Sequence, residues 1–213
     1  MNITNEKVAA YIDTLYKPLS GELQLLREDA EKDRVPIILK DTEMLLSQII
    51  KQTKPMKVLE IGTAVGYSAC FFANACGCEV VTIEANEEMA HKAVANIDRL
   101  GFADKITLMK GDGAHVLKGL AHSHRDCFDL VFIDAAKSHY KTFWELALPL
   151  CRRNAVIICD NVLMKGMTAS DEFDTKKRYK TSIKKMREFL TYINENADTC
   201  ILPVGDGVSI STL

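Results

Sequence analysis

The sequence has no long uninterrupted hydrophobic run and no marked excess of charge of either sign. No apolar stretch approaches the roughly 18–20 residues that a membrane span requires. The start MNITNEKVAAYID has neither the basic nor the apolar region of a secretory signal. With 27 Lys and Arg against 29 Asp and Glu the net charge is -2, so only a local patch could attract a polyanion. These absences predict a cytoplasmic protein with neither membrane nor DNA as a partner.

The sequence also lacks a disulfide pattern, internal repeats and Pro-, Ser- or Gly-rich linkers. The 7 cysteines are an odd number, and the close pair Cys76 and Cys78 has neither a second pair nor histidines at zinc-site spacing. We therefore expect reduced thiols and no structural zinc. A length of 213 residues with 47% hydrophobic residues suits one domain with a sizeable core.

Hydrophobic periodicity predicts a three-layer α/β sandwich with a helical N-terminal cap. Residues 1–55 hold segments with helical apolar spacing, whereas residues 56–213 alternate apolar runs with amphipathic stretches, as βα units do. The last two runs are joined too closely for a crossover helix, which predicts an antiparallel pair at one edge. The predicted strands are MKVLEI, EVVTIE, KITLMK, FDLVFID, AVIICD, TCILPV and GDGVSISTL, and the main predicted helices cover residues 66–75, 87–100, 113–121, 140–150 and 176–196.

A turn with two glycines, Gly62-Thr63-Ala64-Val65-Gly66, follows the first predicted strand. It has neither the GxGxxG spacing of a dinucleotide site nor the Gly-Lys-Ser/Thr of a P-loop. Such a turn lets a ligand approach N–H groups at a helix N-terminus, although tight strand-to-helix packing alone also requires small residues. Glu84 closes the second strand, where an acid that binds ribose hydroxyls belongs, but it could instead be a solvated loop residue.

Acidic residues are expected together at the carboxyl ends of the parallel strands. A rim this acidic would repel a pyrophosphate dinucleotide and favours S-adenosylmethionine, which carries a sulfonium cation. A nicotinamide-dependent oxidoreductase is an alternative that the acids and the missing GxGxxG disfavour. Singly, each acid could also be a cap or a surface group. The acids of this expected rim are Glu60, Glu84, Asp112, Asp134 and Asp160.

Asp134 ends one predicted strand, while Asp160 and Asn161 end the next. If these strands are neighbours, two carboxylates and an amide oxygen converge in a set suited to Mg²⁺. The alternative is that Asp160 and Asn161 only stabilise a turn. Lys137 could accept a proton from a metal-bound hydroxyl, or could simply pair with a surface acid.

A basic run from Lys176 to Arg187 lies in the last predicted helix. Such runs are commonly solvated faces, but this one could also grip RNA phosphates. A non-catalytic nucleotide- or RNA-binding module stays open as a third class of function. It would require a defective glycine turn or metal set, and neither defect is visible.

These motifs together resemble the metal-dependent O-methyltransferases of the caffeoyl-CoA and catechol type. The similarity extends from about Pro36 to the C-terminus and rests on VLEIGTAVGYS, VVTIEAN, KGDG, FIDAAKSHY, CDNVLMKG and LPVGDGVSI. The chain is most similar to the bacterial branch that methylates 5-hydroxyuridine at the wobble position of tRNA. The resemblance implies a Rossmann-like class I methyltransferase fold with a mostly parallel seven-stranded sheet, and a homodimer.

The resemblance also implies roles for individual residues. Glu60, Gly62 and Ser68 would line the methionine end of S-adenosylmethionine, Glu84 would hold the ribose, and Asp112 with Gly113 would border the adenine. Asp134, Asp160 and Asn161 fall on the positions that hold Mg²⁺, or Mn²⁺ or Ca²⁺ in its place. Asp134 would also contact the cofactor and take part in catalysis, and Lys137 falls on the position of the catalytic base. Plant enzymes often carry a second acid where this chain has Ala136, and their N-terminal extension is longer. The acceptor therefore stays open between tRNA and a small catechol-like or hydroxycinnamoyl compound.

Overall fold

The computed structural model describes residues 5–175 and 177–213. Its centre is a seven-stranded sheet in the order β3-β2-β1-β4-β5-β7-β6. β7 runs antiparallel to both β5 and β6, and the other neighbouring strands are parallel. The predicted mostly parallel sheet with an antiparallel edge is thereby confirmed. The strands are β1 (Lys57–Ile61), β2 (Glu79–Glu84), β3 (Ile106–Lys110), β4 (Phe128–Ile133), β5 (Cys151–Cys159), β6 (Asp198–Leu202) and β7 (Val208–Thr212).

Helices cover both faces of this sheet. One hydrophobic core packs α2 to α5 against one face, and a second packs α6 to α8 against the other. Along β1, Val58 belongs to the first core and Leu59 to the second, as the alternation of side chains in a strand requires. The helices are α1 (Glu6–Asp13), α2 (Gly21–Lys32), α3 (Lys40–Thr53), α4 (Tyr67–Cys76), α5 (Glu87–Arg99), α6 (Gly113–Leu120), α7 (Tyr140–Ala147) and α8 (Lys180–Asn196).

Polar side chains begin several of these helices. Ser20, Asn86 and Asp112 accept hydrogen bonds from the third residue that follows each of them, which satisfies an N–H group left free at the helix start. Two of these caps stand at the ends of parallel strands, Asn86 two residues after β2 and Asp112 two residues after β3. The chain therefore turns from strand to helix at the edge of the sheet where a ligand site is expected.

Helix boundaries differ from the predicted ones where the chain turns sharply. α7 ends at Ala147 because a 3-10 turn containing Pro149 follows it. α8 begins at Lys180 and not at residue 176, since the Asp174 carboxylate accepts hydrogen bonds from the N–H groups of Arg178 and Tyr179 and holds a turn there. The first residue of the basic run, Lys176, lies outside the described residues. No helix within residues 5–175 and 177–213 is long and apolar enough to cross a membrane.

Candidate active site

The carboxyl ends of the parallel strands open into a cavity of about 910 Å³. Its walls come from the turn after β1, the ends of β2 and β3, the loops after β4 and β5, and residues 36–39 of the cap. This volume suits a nucleoside-sized ligand together with a small acceptor. The predicted site residues that line it are Gly62, Ser68, Glu84, Asp112, Gly113, Asp134, Lys137 and Asn161.

The turn after β1 is built on left-handed backbone. Gly62 has a φ of +102°, and a Cβ at this position would stand 2.1 Å from the Asp134 carbonyl oxygen. Ala64 and Gly66 also have positive φ, at 47° and 86°. The packing explanation of Gly62 therefore holds, since the tips of β1 and β4 approach too closely for a side chain.

Glu84 braces this turn with its carboxylate. Its Oε2 accepts hydrogen bonds from the N–H groups of Thr63 at 3.1 Å and Ala64 at 2.8 Å, and its Oε1 accepts one from Asn86 at 2.8 Å. These N–H groups would otherwise be free to bind a phosphate. Since a carboxylate occupies them, this end of the cavity disfavours a pyrophosphate and suits an uncharged ribose or a cation.

The prediction that Glu60 lies on the acidic rim is wrong, because this residue lies beneath the cavity surface and is 0% exposed. The pleat of β1 points it under α4, where the Thr82 hydroxyl donates to its Oε2, and Oε1 has no hydrogen-bond partner among the described residues. Burial raises the pKa of Glu60 to about 7, although the Ser68 and Thr82 hydroxyls lower it. Any effect of Glu60 on a ligand therefore passes through Ser68, which does line the cavity.

The start of α6 forms the wall beside the end of β3. The Asp112 carboxylate accepts a hydrogen bond from the His115 N–H at 2.9 Å and so caps this helix. A Cβ on Gly113 would stand 2.9 Å from the Phe143 ring, and that ring and His139 both line the cavity. These two rings give this wall a partly apolar surface. Phe143 and His139 were not among the predicted site residues.

The neighbouring ends of β4 and β5 bring Asp134, Lys137 and Asn161 together. The Lys137 ammonium donates hydrogen bonds to Asp134 Oδ1 at 2.9 Å, Asn161 Oδ1 at 2.7 Å and the Tyr140 hydroxyl at 2.8 Å. All three donors of the ammonium are thus used. Tyr140, which sequence reasoning missed, in turn donates to the Asp160 carbonyl oxygen at 2.8 Å.

The predicted position of Asp160 on the rim is also wrong, since this residue is 1% exposed and lies under the surface of the site. Asn161 has a left-handed backbone with a φ of 56°, which turns its amide into the cavity, and its N–H donates to Asp160 Oδ1 at 2.7 Å. Burial and the charge of Asp134 raise the pKa of Asp160. Asp206, another acid that sequence reasoning missed, lines the cavity, and burial raises its pKa as well.

Comparison with known proteins identifies the family of this chain. The family model "O-methyltransferase" matches residues 18–212. The chain belongs to this O-methyltransferase family. It is 39% identical over 122 residues to a catechol O-methyltransferase from Mycobacterium tuberculosis, an alignment that covers 55% of this chain and 54% of that enzyme.

Solved structures match over nearly the whole chain. A Staphylococcus aureus protein provisionally assigned as a caffeoyl-CoA O-methyltransferase has a TM-score of 0.89 at 30% identity, with 97% of this chain and 99% of that chain covered. The O-methyltransferase from Bacillus cereus, solved in complex with SAH, has a TM-score of 0.82 at 25% identity, with 97% of each chain covered. The O-methyltransferase family and the class I methyltransferase fold predicted from the sequence are therefore confirmed, whereas the tRNA-modifying branch and the metal stay predictions.

The sequence predicts a divalent metal at Asp134, Asp160 and Asn161, and two oxygens of that ligand set converge in the structure. Asp134 Oδ1 and Asn161 Oδ1 already converge on a single cationic group, the Lys137 ammonium, and the Asp160 carboxylate lies directly behind Asn161. Among the described residues no group of three His, Cys, Asp or Glu side chains could hold a metal. Any such site therefore depends on the amide oxygen of Asn161, which is a hard ligand acceptable to Mg²⁺.

Proposed function

We propose that this protein transfers the methyl group of S-adenosylmethionine to an aromatic hydroxyl. The observation that carries the proposal is a continuous cavity with the Glu84-braced turn at one end and the cluster of Lys137, Asp134 and Asn161 at the other. A donor and an acceptor bound side by side in one cavity can react as if within a single molecule, which lowers the entropic part of the barrier. Membership of the O-methyltransferase family supports the same reaction.

The charges along this cavity suit a sulfonium donor. Glu84, Asp112 and Asp134 line it. Their field favours a cation over a phosphate. We infer that Glu84 holds the ribose and that Asp112 with Gly113 borders the adenine. The methionine end would then lie along Gly62 and Ser68, with the methyl group directed toward Asp134.

The acceptor hydroxyl would lie beside Lys137. A neutral phenol is a weak nucleophile, so the site must remove or share its proton. Lys137 is fixed by three hydrogen bonds. It would orient the hydroxyl by exchanging one of these partners for the acceptor oxygen, and only its neutral amine form could take the proton. We propose that Asp134, Asp160 and Asn161 hold Mg²⁺, or Mn²⁺ or Ca²⁺, which when bound would lower the pKa of the hydroxyl and fix its orientation.

For the acceptor we propose 5-hydroxyuridine of tRNA, on the strength of the exposed basic residues of α8. α8 packs against the 3-10 turn of Lys137–His139, and its exposed residues include Lys180 and Lys185. These side chains could contact RNA phosphates close to the reacting end of the cavity. Arg187 is not available for this role, because its guanidinium binds the Thr168 and Met167 carbonyl oxygens and the Asp171 carboxylate.

A small catechol-like or hydroxycinnamoyl acceptor is the second candidate. The relative from Mycobacterium tuberculosis is a catechol O-methyltransferase, and the volume of about 910 Å³ leaves room for such a compound beside the donor. A small phenol would need no basic surface outside the cavity. The two acceptors therefore differ in whether they depend on Lys180 and Lys185.

The test offers labelled S-adenosylmethionine with undermodified total tRNA or with catechol, each with and without EDTA. We expect label in tRNA alone, loss of label with EDTA, and a weaker tRNA reaction in the Lys180→Gln/Lys185→Gln double variant. Lys137→Met should lose about 100-fold or more in kcat, whereas Lys51→Met, at the exposed end of α3, should retain full activity.

Each component of the proposal can fail separately. Label in catechol alone would overturn the RNA acceptor, and transfer that survives EDTA would overturn the metal. Full activity of Lys137→Met would remove Lys137 from the mechanism. If neither acceptor is labelled although the protein binds S-adenosylmethionine, methyl transfer to these aromatic hydroxyls is wrong.

A further inference from the structure

A buried polar cluster connects the helical cap to the cavity. Arg27 of α2, Glu43 of α3 and Tyr67, the first residue of α4, are 2%, 2% and 1% exposed. We call these three residues the cap cluster. None of the three was among the predicted site residues, although Tyr67 lies in the motif VLEIGTAVGYS, and the proposed reaction does not use them directly.

Hydrogen bonds join the three residues of the cap cluster in a closed ring. The Arg27 guanidinium binds Glu43 Oε2 through Nη2 and donates to the Tyr67 hydroxyl through Nε at 3.1 Å. The Tyr67 hydroxyl in turn donates to Glu43 Oε2 at 2.6 Å, and the hydroxyl of Tyr16 donates to Glu43 Oε1 at 2.8 Å. Each partner therefore fixes the geometry of the other two.

Arg27 also holds part of the cavity wall. Its Nη1 donates to the Ile38 carbonyl oxygen at 3.0 Å, and residues 36–39 form the side of the cavity contributed by the cap. The far end of this wall has a second anchor, because the Asp41 carboxylate accepts a hydrogen bond from the Gly205 N–H at 2.9 Å. This part of the wall is therefore tied at Ile38 and again just beyond residue 39, at Asp41.

Stability alone does not account for a cluster of this kind. Buried ion pairs commonly contribute no more than well-packed apolar residues of the same volume, whereas their directional bonds specify one arrangement. Burial together with the Glu43 charge raises the pKa of Tyr67, and the partners of Arg27 raise the pKa of the guanidinium. Arg27 and Tyr67 thus keep their protons, and with them the hydrogen bonds that they donate, throughout the ordinary pH range.

We propose that Arg27 is a positioning residue that, with Glu43 and Tyr67, holds residues 36–39 against the bound methyl donor. Arg27 acts through others, since it reaches the cavity only by way of the Ile38 carbonyl and the Tyr67 side chain. The inference rests on the proposed function because it takes the cavity to be the S-adenosylmethionine site. It predicts that loosening the cluster weakens donor binding more than it slows the methyl transfer itself.

The test measures SAH binding by calorimetry and the steady-state kinetics of methyl transfer. Tyr67→Phe removes the hydroxyl and keeps the ring in the cavity wall. Arg27→Lys keeps the positive charge but loses the planar set of N–H donors of the guanidinium. We expect both variants to weaken SAH about tenfold and to raise KM for S-adenosylmethionine by a similar factor, with kcat changed less than about twofold. Tyr11→Phe is the matched control, because Tyr11 is 65% exposed and should behave as wild type.

The other outcomes overturn the inference in distinguishable ways. A merely structural role would lower Tm and the fraction of active protein, while the Kd for SAH of the folded molecules stayed at the wild-type value. If Arg27→Lys does not fold, Tyr67→Phe decides alone. If wild type binds SAH and Tyr67→Phe binds it equally well, the positioning role is wrong and the proposed function stands. If wild type itself does not bind SAH, the proposed function fails and the inference fails with it.

Discussion

Gly62→Ala should both destabilise the protein and weaken its cofactor site. The added Cβ would stand 2.1 Å from the Asp134 carbonyl oxygen and 2.8 Å from its carbon, at a φ of +102°. The positive φ costs about 1–2 kcal/mol for a residue with a side chain. Moving the backbone at the tip of β4 adds about 1–3 kcal/mol. The free energy of unfolding should therefore fall by about 2–5 kcal/mol.

The assay is urea unfolding followed by circular dichroism, with Gly119→Ala as the control. Gly119 lies in α6, and an added Cβ there meets nothing within 4 Å, so alanine should be neutral or stabilise by up to about 1 kcal/mol. SAH affinity should fall in Gly62→Ala alone, because any shift that relieves the clash displaces Asp134. Equal unfolding midpoints and equal SAH affinities for the two variants would refute the reasoning.

Three further changes test other parts of the structure. The pKa of Glu60 rises from 4.5 to about 7 on folding, so the folded state favours the protonated carboxyl. As the pH rises from 4.5 through 7, the free energy of unfolding of wild type should therefore fall by about 3 kcal/mol relative to Glu60→Gln. Parallel pH profiles of the two proteins in urea titrations would contradict this. Asp112→Ala removes the cap of α6 and should cost about 1 kcal/mol in the same titrations, whereas no loss would show that the cap contributes nothing. Tyr140→Phe frees the Lys137 ammonium from one partner and should lower kcat with SAH affinity unchanged, so an unaltered kcat would argue against a role in holding Lys137.

The layered fold was predictable because its signals are local. Strands buried on both faces read as continuous apolar runs, which is why segments such as EVVTIE and FDLVFID stand out. The antiparallel edge followed from loop length alone. Boundaries were less predictable: the 3-10 turn at Pro149 and the Asp174 turn before α8 depend on packing and on side-chain hydrogen bonds.

The candidate site was only partly predictable, because residue type and position along a strand do not fix the direction of a side chain. Glu60 and Asp160 were expected on the rim, yet both are buried below it. The pleat of β1 turns Glu60 under α4, and Asp160 lies behind Asn161, whose own left-handed backbone carries its amide into the cavity. Tyr140 carried no motif signal, since its bonds to Lys137 and to the Asp160 carbonyl exist only in the folded chain. A tyrosine three residues after the candidate base was the available clue.

In the proposed reaction, the acids that attract the methyl donor bind the spent cofactor less strongly. S-adenosylmethionine carries a sulfonium charge that is lost when the methyl group leaves, so the attraction of Glu84 and Asp134 applies to the donor and not to the thioether product. The contacts of the ribose and the adenine are common to both molecules and cannot discriminate between them. Discrimination therefore has to come from the end of the cavity nearest Asp134, where the Lys137 ammonium already offsets one negative charge. An acceptor oxygen that replaced Asp134 as a partner of Lys137 would leave the Asp134 carboxylate free to act on the sulfonium when both reactants are in place.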